Sequence, residues 1–92
     1  MKFDWDPSKE KKTIIQRGIS FDEAKSVFYD ENARELYDDE HSEHEDRFAI
    51  VGMSIKIREL VVCYCMRHGD IYRIISARRA TKSEKDEYYG RR

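Results

Sequence analysis

Three apolar runs crowded into the second half of this chain limit its fold more than any other feature. They are Phe48 to Met53, Leu60 to Met66 and Ile71 to Ala77. Together they are rich in Val, Ile, Tyr and Cys, which suit a pleated, partly buried surface. The connections between them are too short for a crossover, so neighbouring runs must pair antiparallel. Gly69-Asp70 supplies the second reversal. Residues 47–78 are therefore expected to form a three-strand meander.

The first half reads mainly as helix. Phe3 and Trp5 alternate with Lys2, Asp4 and Asp6, which predicts a short first strand. Asp6 offers an N-cap, Pro7 a first helical residue and Gly18 a left-handed stop, so a helix is expected from Pro7 to about Arg17. Its only large apolar residues are Ile14 and Ile15, so it should pack weakly. Ser20 and Glu23 have capping-box spacing, in which each side chain reaches the other residue's backbone N–H. Phe21, Ala24, Val27 and Phe28 then share one face of a helix over residues 20–29. Leu36 and Tyr37 suit an edge strand. Thr81 and Glu84 repeat the capping-box spacing ahead of a short helix that carries Tyr88 and Tyr89 and stops at Gly90. The expected fold class is α+β: an antiparallel β-sheet with two N-terminal helices and a short C-terminal helix. At 92 residues the chain should be one domain, residues 1–92, because halves of it would lack cores of their own.

Charged residues make up 40% of the chain, yet 18 basic and 19 acidic residues leave a net charge of only −1. That balance, with clustered apolar residues, argues for a folded chain with a heavily charged surface. The total hides an asymmetry. Residues 1–55 hold 8 basic and 14 acidic side chains, whereas residues 56–92 hold 10 and 5, giving −6 and +5. A basic C-terminal half can present an anion-binding face. The longest apolar run falls well short of the roughly 20 residues of a membrane span. Met1 leads into charge rather than an apolar leader, so the cytoplasm is the expected location and no membrane partner is expected. Cys63 and Cys65 lie two apart on a strand and are expected to be buried and reduced.

The arginine series Arg67, Arg73, Arg78 and Arg79 is the first candidate for chemistry. Guanidinium groups can clamp phosphates through bidentate, charge-assisted hydrogen bonds. Strict alternation places Arg73 with Ile71, Ile75 and Ala77, and Arg78 on the other face with Tyr72, Ile74 and Ser76. The alternative is that these arginines are strand-end charges paired with Glu59, Glu84 or Asp86. Tyr64, Tyr72, Tyr88 and Tyr89 interleave with them, a mixture suited to RNA, where bases stack on rings and arginines hold phosphates. Tyr64 and Tyr72 equally fit the rim of the core. Residues 38–46 carry six acidic side chains with His41 and His44. The His-x-x-His spacing suits a transition metal, but a solvated acidic loop is the simpler state, so no metal is expected. His68, beside the Gly69 turn, is a candidate for proton transfer.

Taken in order, several segments resemble one family. They are Phe3-x-Trp5-Asp6-Pro7-x-Lys9, Gly18-Ile19-Ser20-Phe21-x-Glu23-Ala24-x-x-Val27-Phe28-x-Asp30, and Glu45-x-Arg47-Phe48 through Gly52-x-Ser54. Arg58-x-Leu60-Val61-Val62, Arg67, the run Arg73-Ile74-Ile75-Ser76-Ala77-Arg78-Arg79-Ala80, Glu84 and Tyr88 follow. The chain resembles the BrnT toxins of bacterial type II toxin–antitoxin systems over nearly its whole length. The resemblance implies a RelE-like fold and a ribonuclease that arrests translation. It also implies a BrnA-type antitoxin partner, a DNA-binding repressor, with no direct DNA contact by the toxin. The family often has Asn, then Lys-His, where this chain has Thr13, Gln16 and Arg17, and often Gly where this chain has Ile57.

A ribonuclease of this kind needs no metal and no cofactor. The ribose 2′-hydroxyl attacks the adjacent phosphate, and arginines stabilise the developing charge. With the resemblance, the expected catalytic set is Arg67, Arg78, Arg79, Tyr64 and His68, with Arg58, Arg73, Tyr88 and Tyr89 as RNA contacts. Tyr64, His68 and Glu45 remain alternatives for the base. Arg67 and Arg78 sit about 20 Å apart along the strands at about 3.3 Å per residue, so they fit different phosphates of one strand. A non-cleaving RNA- or ribosome-binding module, and a structural partner of a repressor, remain the competing function classes.

Overall fold

The structure is a computed structural model, and it describes residues 1–36 and 47–91. The elements run β1 (Lys2–Trp5), α1 (Pro7–Arg17), α2 (Phe21–Ser26), a 3₁₀ turn (Val27–Tyr29), β2 (Arg34–Leu36), β3 (Arg47–Met53), β4 (Glu59–Arg67), β5 (Ile71–Arg79) and α3 (Lys82–Tyr89). The strands form one sheet in the order β1-β5-β4-β3-β2. The expected meander is present as β3, β4 and β5, each antiparallel to the next. The sheet as a whole is mixed, because β1 runs parallel to β5. Short connections dictate antiparallel pairing only between sequence neighbours. β1 meets β5 after most of the chain has intervened, so nothing local set its direction.

The helix boundaries follow their caps. Asp6 Oδ1 accepts from Ser8 N at 2.9 Å, and Gly18 closes α1 at φ 68°. α1 buries only Thr13 and leaves Ile14 and Ile15 exposed, so it does pack weakly. It is tied to α2 by Glu10, whose Oε2 accepts from Phe21 N at 2.9 Å. The Ser20–Glu23 box is only half formed. Ser20 Oγ accepts from Glu23 N at 3.0 Å, but the Glu23 carboxylate turns to Ser54 and Arg58 instead of the cap. Thr81 and Glu84 make both bonds of theirs.

Both faces of the sheet are covered, unequally. On one, α2 and the 3₁₀ turn bring Ile19, Phe21, Ala24 and Val27 onto Leu60, Val62, Ile74 and Ala77. On the other, α3 sets Tyr88 beside Ala49, Val51, Val61 and Ala80. Gly52 lets β3 approach the 3₁₀ turn, because a Cβ there would lie 2.9 Å from Val27 Cγ1 and 3.0 Å from Ala33 Cβ. Asp30 joins three elements at that point. Its Oδ2 accepts from Met53 N at 2.8 Å and from the Tyr88 hydroxyl at 2.6 Å, and its Oδ1 accepts from Asn32 N at 2.9 Å.

Candidate active site

One irregularity in β5 decides which arginines act together. The pairing of β4 with β5 steps from Cys63↔Ser76 to Tyr64↔Ile74, so Ile75 is an extra residue without an opposite partner. Such a bulge reverses the alternation beyond it. Directly opposed residues share a face: Arg67 with Ile71, Cys65 with Arg73, and Val61 with Arg78. Cys65, Val61 and Arg67 are an even number of residues apart on β4, so Arg67, Arg73 and Arg78 all lie on the α3 side. The expectation that Arg73 and Arg78 occupy opposite faces is corrected by this one residue. Arg47, opposite Cys65 on β3, joins the same face.

A cleft of about 780 Å³ opens on this face. Ala49, Val61, Cys63 and Ser76 line it, and among the described residues so do three arginines, Arg17, Arg47 and Arg78, and three glutamates, Glu35, Glu84 and Glu87. The Arg78 guanidinium meets the Glu84 carboxylate through two parallel bonds, Nη1 to Oε1 and Nη2 to Oε2, both 2.7 Å. Glu84 Oε1 also accepts from Thr81 N at 2.8 Å. Arg78, then the Thr81 bonds, outweigh the effect of burial and hold the Glu84 carboxyl at about 2.

The other expected site residues fall in different places. Arg67 and His68 lie at the far end of β4, where His68 sits in the turn at φ 54°. Arg79 is exposed and lies opposite Leu60, on the α2 side. Arg73 is tied to Asp4 of β1 at 3.3 Å. Arg58 is committed to the fold. Its Nε donates to Glu23 Oε2 at 2.9 Å and its Nη2 to Gly18 O at 3.1 Å, and it forms an ion pair with Glu23, which is 2% exposed.

Tyr64 is the clearest misfit among the expected catalytic groups. It is buried on the α2 side, stacked on Phe48, and its hydroxyl donates to Glu35 Oε1 at 3.1 Å. Burial, reinforced by the Glu35 charge, pushes the hydroxyl above its usual range, the opposite of what a base needs. Tyr88 is buried with its hydroxyl on Asp30, whereas Tyr89 is 44% exposed and donates to Glu59 Oε2 at 2.6 Å. Tyr89 is the more exposed of the two C-terminal tyrosines, but its ring already carries the Arg91 guanidinium 4.6 Å from its centre and packs against Tyr88. The acidic stretch 38–46, with His41, His44 and Glu45, lies outside the described residues. Among the described residues no group of His, Cys, Asp and Glu has the arrangement of a metal site.

Two of the cleft's arginines were not singled out from the sequence. Arg47 was accessible through β3 alternation, since it falls two residues before Ala49 on the same face. Arg17 was not, because its place in the cleft depends on the path of α1 past the sheet. It is also the position at which the resemblance puts a histidine.

A family model described as the ribonuclease toxin BrnT of type II toxin–antitoxin systems matches residues 5–84. The chain belongs to the BrnT family. As a family member it is a ribonuclease toxin of a type II system, which implies an RNA target and an antitoxin partner. The fold is similar to that of the crystal structure of the Brucella abortus ribonuclease toxin BrnT, with a TM-score of 0.68 at 20% identity, covering 89% of this chain and 99% of that one. No curated protein sequence matches the chain. Among the described residues no helix is long and apolar enough to cross a membrane.

Proposed function

We propose that this BrnT chain is a cytoplasmic endoribonuclease that cuts RNA without a metal, arrests translation and is neutralised by a BrnA-type antitoxin. The observation that carries this reading is the row of Arg47, Arg67, Arg73 and Arg78 on one sheet face, with the cleft at Arg78. Such a row follows an extended polyanion rather than a single small anion. Arg78 holds the scissile phosphate and stabilises the charge that develops as the 2′-hydroxyl attacks. One donor of this kind typically contributes about 2.7–4 kcal/mol to transition-state stabilisation. Arg17 and Arg47 contact the phosphates on either side, and Arg67 a more distant one.

The test is incubation of the purified protein with end-labelled RNA in EDTA, with and without the antitoxin. Cleavage in EDTA that the antitoxin abolishes is the expected result. Cleavage lost in EDTA and restored by zinc or manganese would overturn the arginine mechanism. RNA retained but uncut under all conditions would favour a non-cleaving binding module.

A further inference from the structure

We infer that Glu84 is the proton acceptor of this cleft, and that Arg78 keeps it masked until a substrate phosphate takes the guanidinium away. This deepens the ribonuclease reading and rests on it. The chemistry needs a group that removes the 2′-hydroxyl proton beside the bound phosphate. Tyr64 is buried on the opposite face of the sheet, and His68 lies in the turn at the far end of β4. Glu84 is in the cleft, and its carboxylate touches the arginine assigned to the phosphate.

The geometry suits an exchange of partners. A phosphate oxygen pair matches the guanidinium fork as well as a carboxylate does. When it binds Arg78, Glu84 loses two charge-assisted bonds but keeps the one from Thr81 N, so the carboxylate stays on the cleft wall. Its proton affinity then rises, since Arg78 is the foremost cause of its low value in the free protein. The other charged groups lining the cleft are Arg17 from α1, Arg47 from β3, Glu87 from α3 and, at the sheet edge, Glu35 from β2, whose carboxylate accepts from the Tyr64 hydroxyl on the α2 side.

The step balances without a co-reactant. Glu84 takes the 2′-hydroxyl proton while the 2′-oxygen forms a bond to phosphorus. The bond from phosphorus to the 5′-oxygen breaks, and that oxygen takes a proton from water. Glu84 releases its proton to the hydroxide left behind. The products are a 2′,3′-cyclic phosphate and a 5′-hydroxyl.

Masking has a kinetic signature, because kcat/KM reports the free enzyme and kcat the bound complex. Cleavage of a labelled RNA oligonucleotide is measured from pH 7 to pH 4, with folding followed by circular dichroism. In the parent protein kcat should fall as the pH drops while KM falls in step, leaving kcat/KM level. Glu84→Gln should lower kcat by roughly a hundredfold or more, the usual effect of a general base, and lose the acidic limb. Glu84→Asp should restore part of the rate together with the limb. Thr81→Ala, which removes a capping bond but no carboxylate, should keep most of the rate. The inference is overturned if folded Glu84→Gln cuts RNA within tenfold of the parent, if the limb persists in that variant, or if kcat/KM falls with kcat. A parent protein that leaves RNA intact at every pH would instead refute the ribonuclease reading and this one with it.

Discussion

Arg73 and Arg78 share a face of β5 although they are five positions apart, because Ile75 bulges out of the ladder between them. An odd spacing in a regular strand would have put them on opposite sides of the sheet. Here both face the α3 side with Arg67 and Arg47, and Arg79 faces away.

That division predicts a sharp contrast between neighbours. Arg78→Ala should abolish toxicity in growing cells while the protein stays folded and bound to its antitoxin. Arg79→Ala should retain most toxicity. Growth arrest after induction, with protein levels matched by immunoblot, checks both. Full toxicity of soluble Arg78→Ala would move the chemistry to the Arg67 and His68 end. Arg73→Ala should cost at most about 1 kcal/mol of stability, because its pair with Asp4 is partly solvated.

A second prediction concerns Arg58. The Glu23 carboxylate is almost fully buried, and bonds from Arg58 and Ser54 offset the cost of that burial. Arg58→Ala would leave a buried charge without its partner, at a cost of about 3–5 kcal/mol. Urea denaturation should show a large drop in midpoint. Replacing both partners, Glu23→Gln with Arg58→Met, should be less damaging than Arg58→Ala alone. Equal losses in the two proteins would show that the pair is not coupled.

Much of the fold was legible because its signals are local. Asp6-Pro7, Gly18, Ser20 and Thr81 fixed helix ends through their own caps, and the short connections fixed the meander. The candidate site was less legible because it depends on long-range placement. No local signal marks Ile75 as the bulge or carries Arg17 to the cleft. Arg58 and Tyr64 looked available for chemistry, but Glu23 and Glu35, 35 and 29 residues away in sequence, claim their polar groups.

A third prediction follows from the turn between β3 and β4. Ile57 has φ 60° and is 81% exposed, so a β-branched residue holds a left-handed conformation with little packing in return. That conformation costs an L-residue roughly 1–2 kcal/mol, and glycine adopts it freely at some cost in unfolded-state entropy. Ile57→Gly should therefore stabilise the protein by about 0.5–1 kcal/mol. A thermal melt that shifts downward instead would mean that the side chain contributes packing which outweighs the strain.

The last prediction is the acid sensitivity of the α3 anchor. Glu84 is held at about 2 in the folded protein, first by Arg78, against an ordinary value of 4.5. A folded value below the unfolded one means that the unfolded chain takes up the proton first as the pH falls. The contribution of Glu84 to stability is thus complete above about 4.5 and is lost as the pH falls toward about 2. Glu23 and Asp30 are also held below their usual values, each by bonds that outweigh burial, so their contributions weaken in the same direction. Glu84→Gln should be less stable than the parent at pH 7, with the difference shrinking as the pH is lowered through this window. Urea midpoints at pH 7, 4 and 3 measure it. A difference that stays constant across the three would show that the Arg78–Glu84 pair does not anchor α3 through its charge.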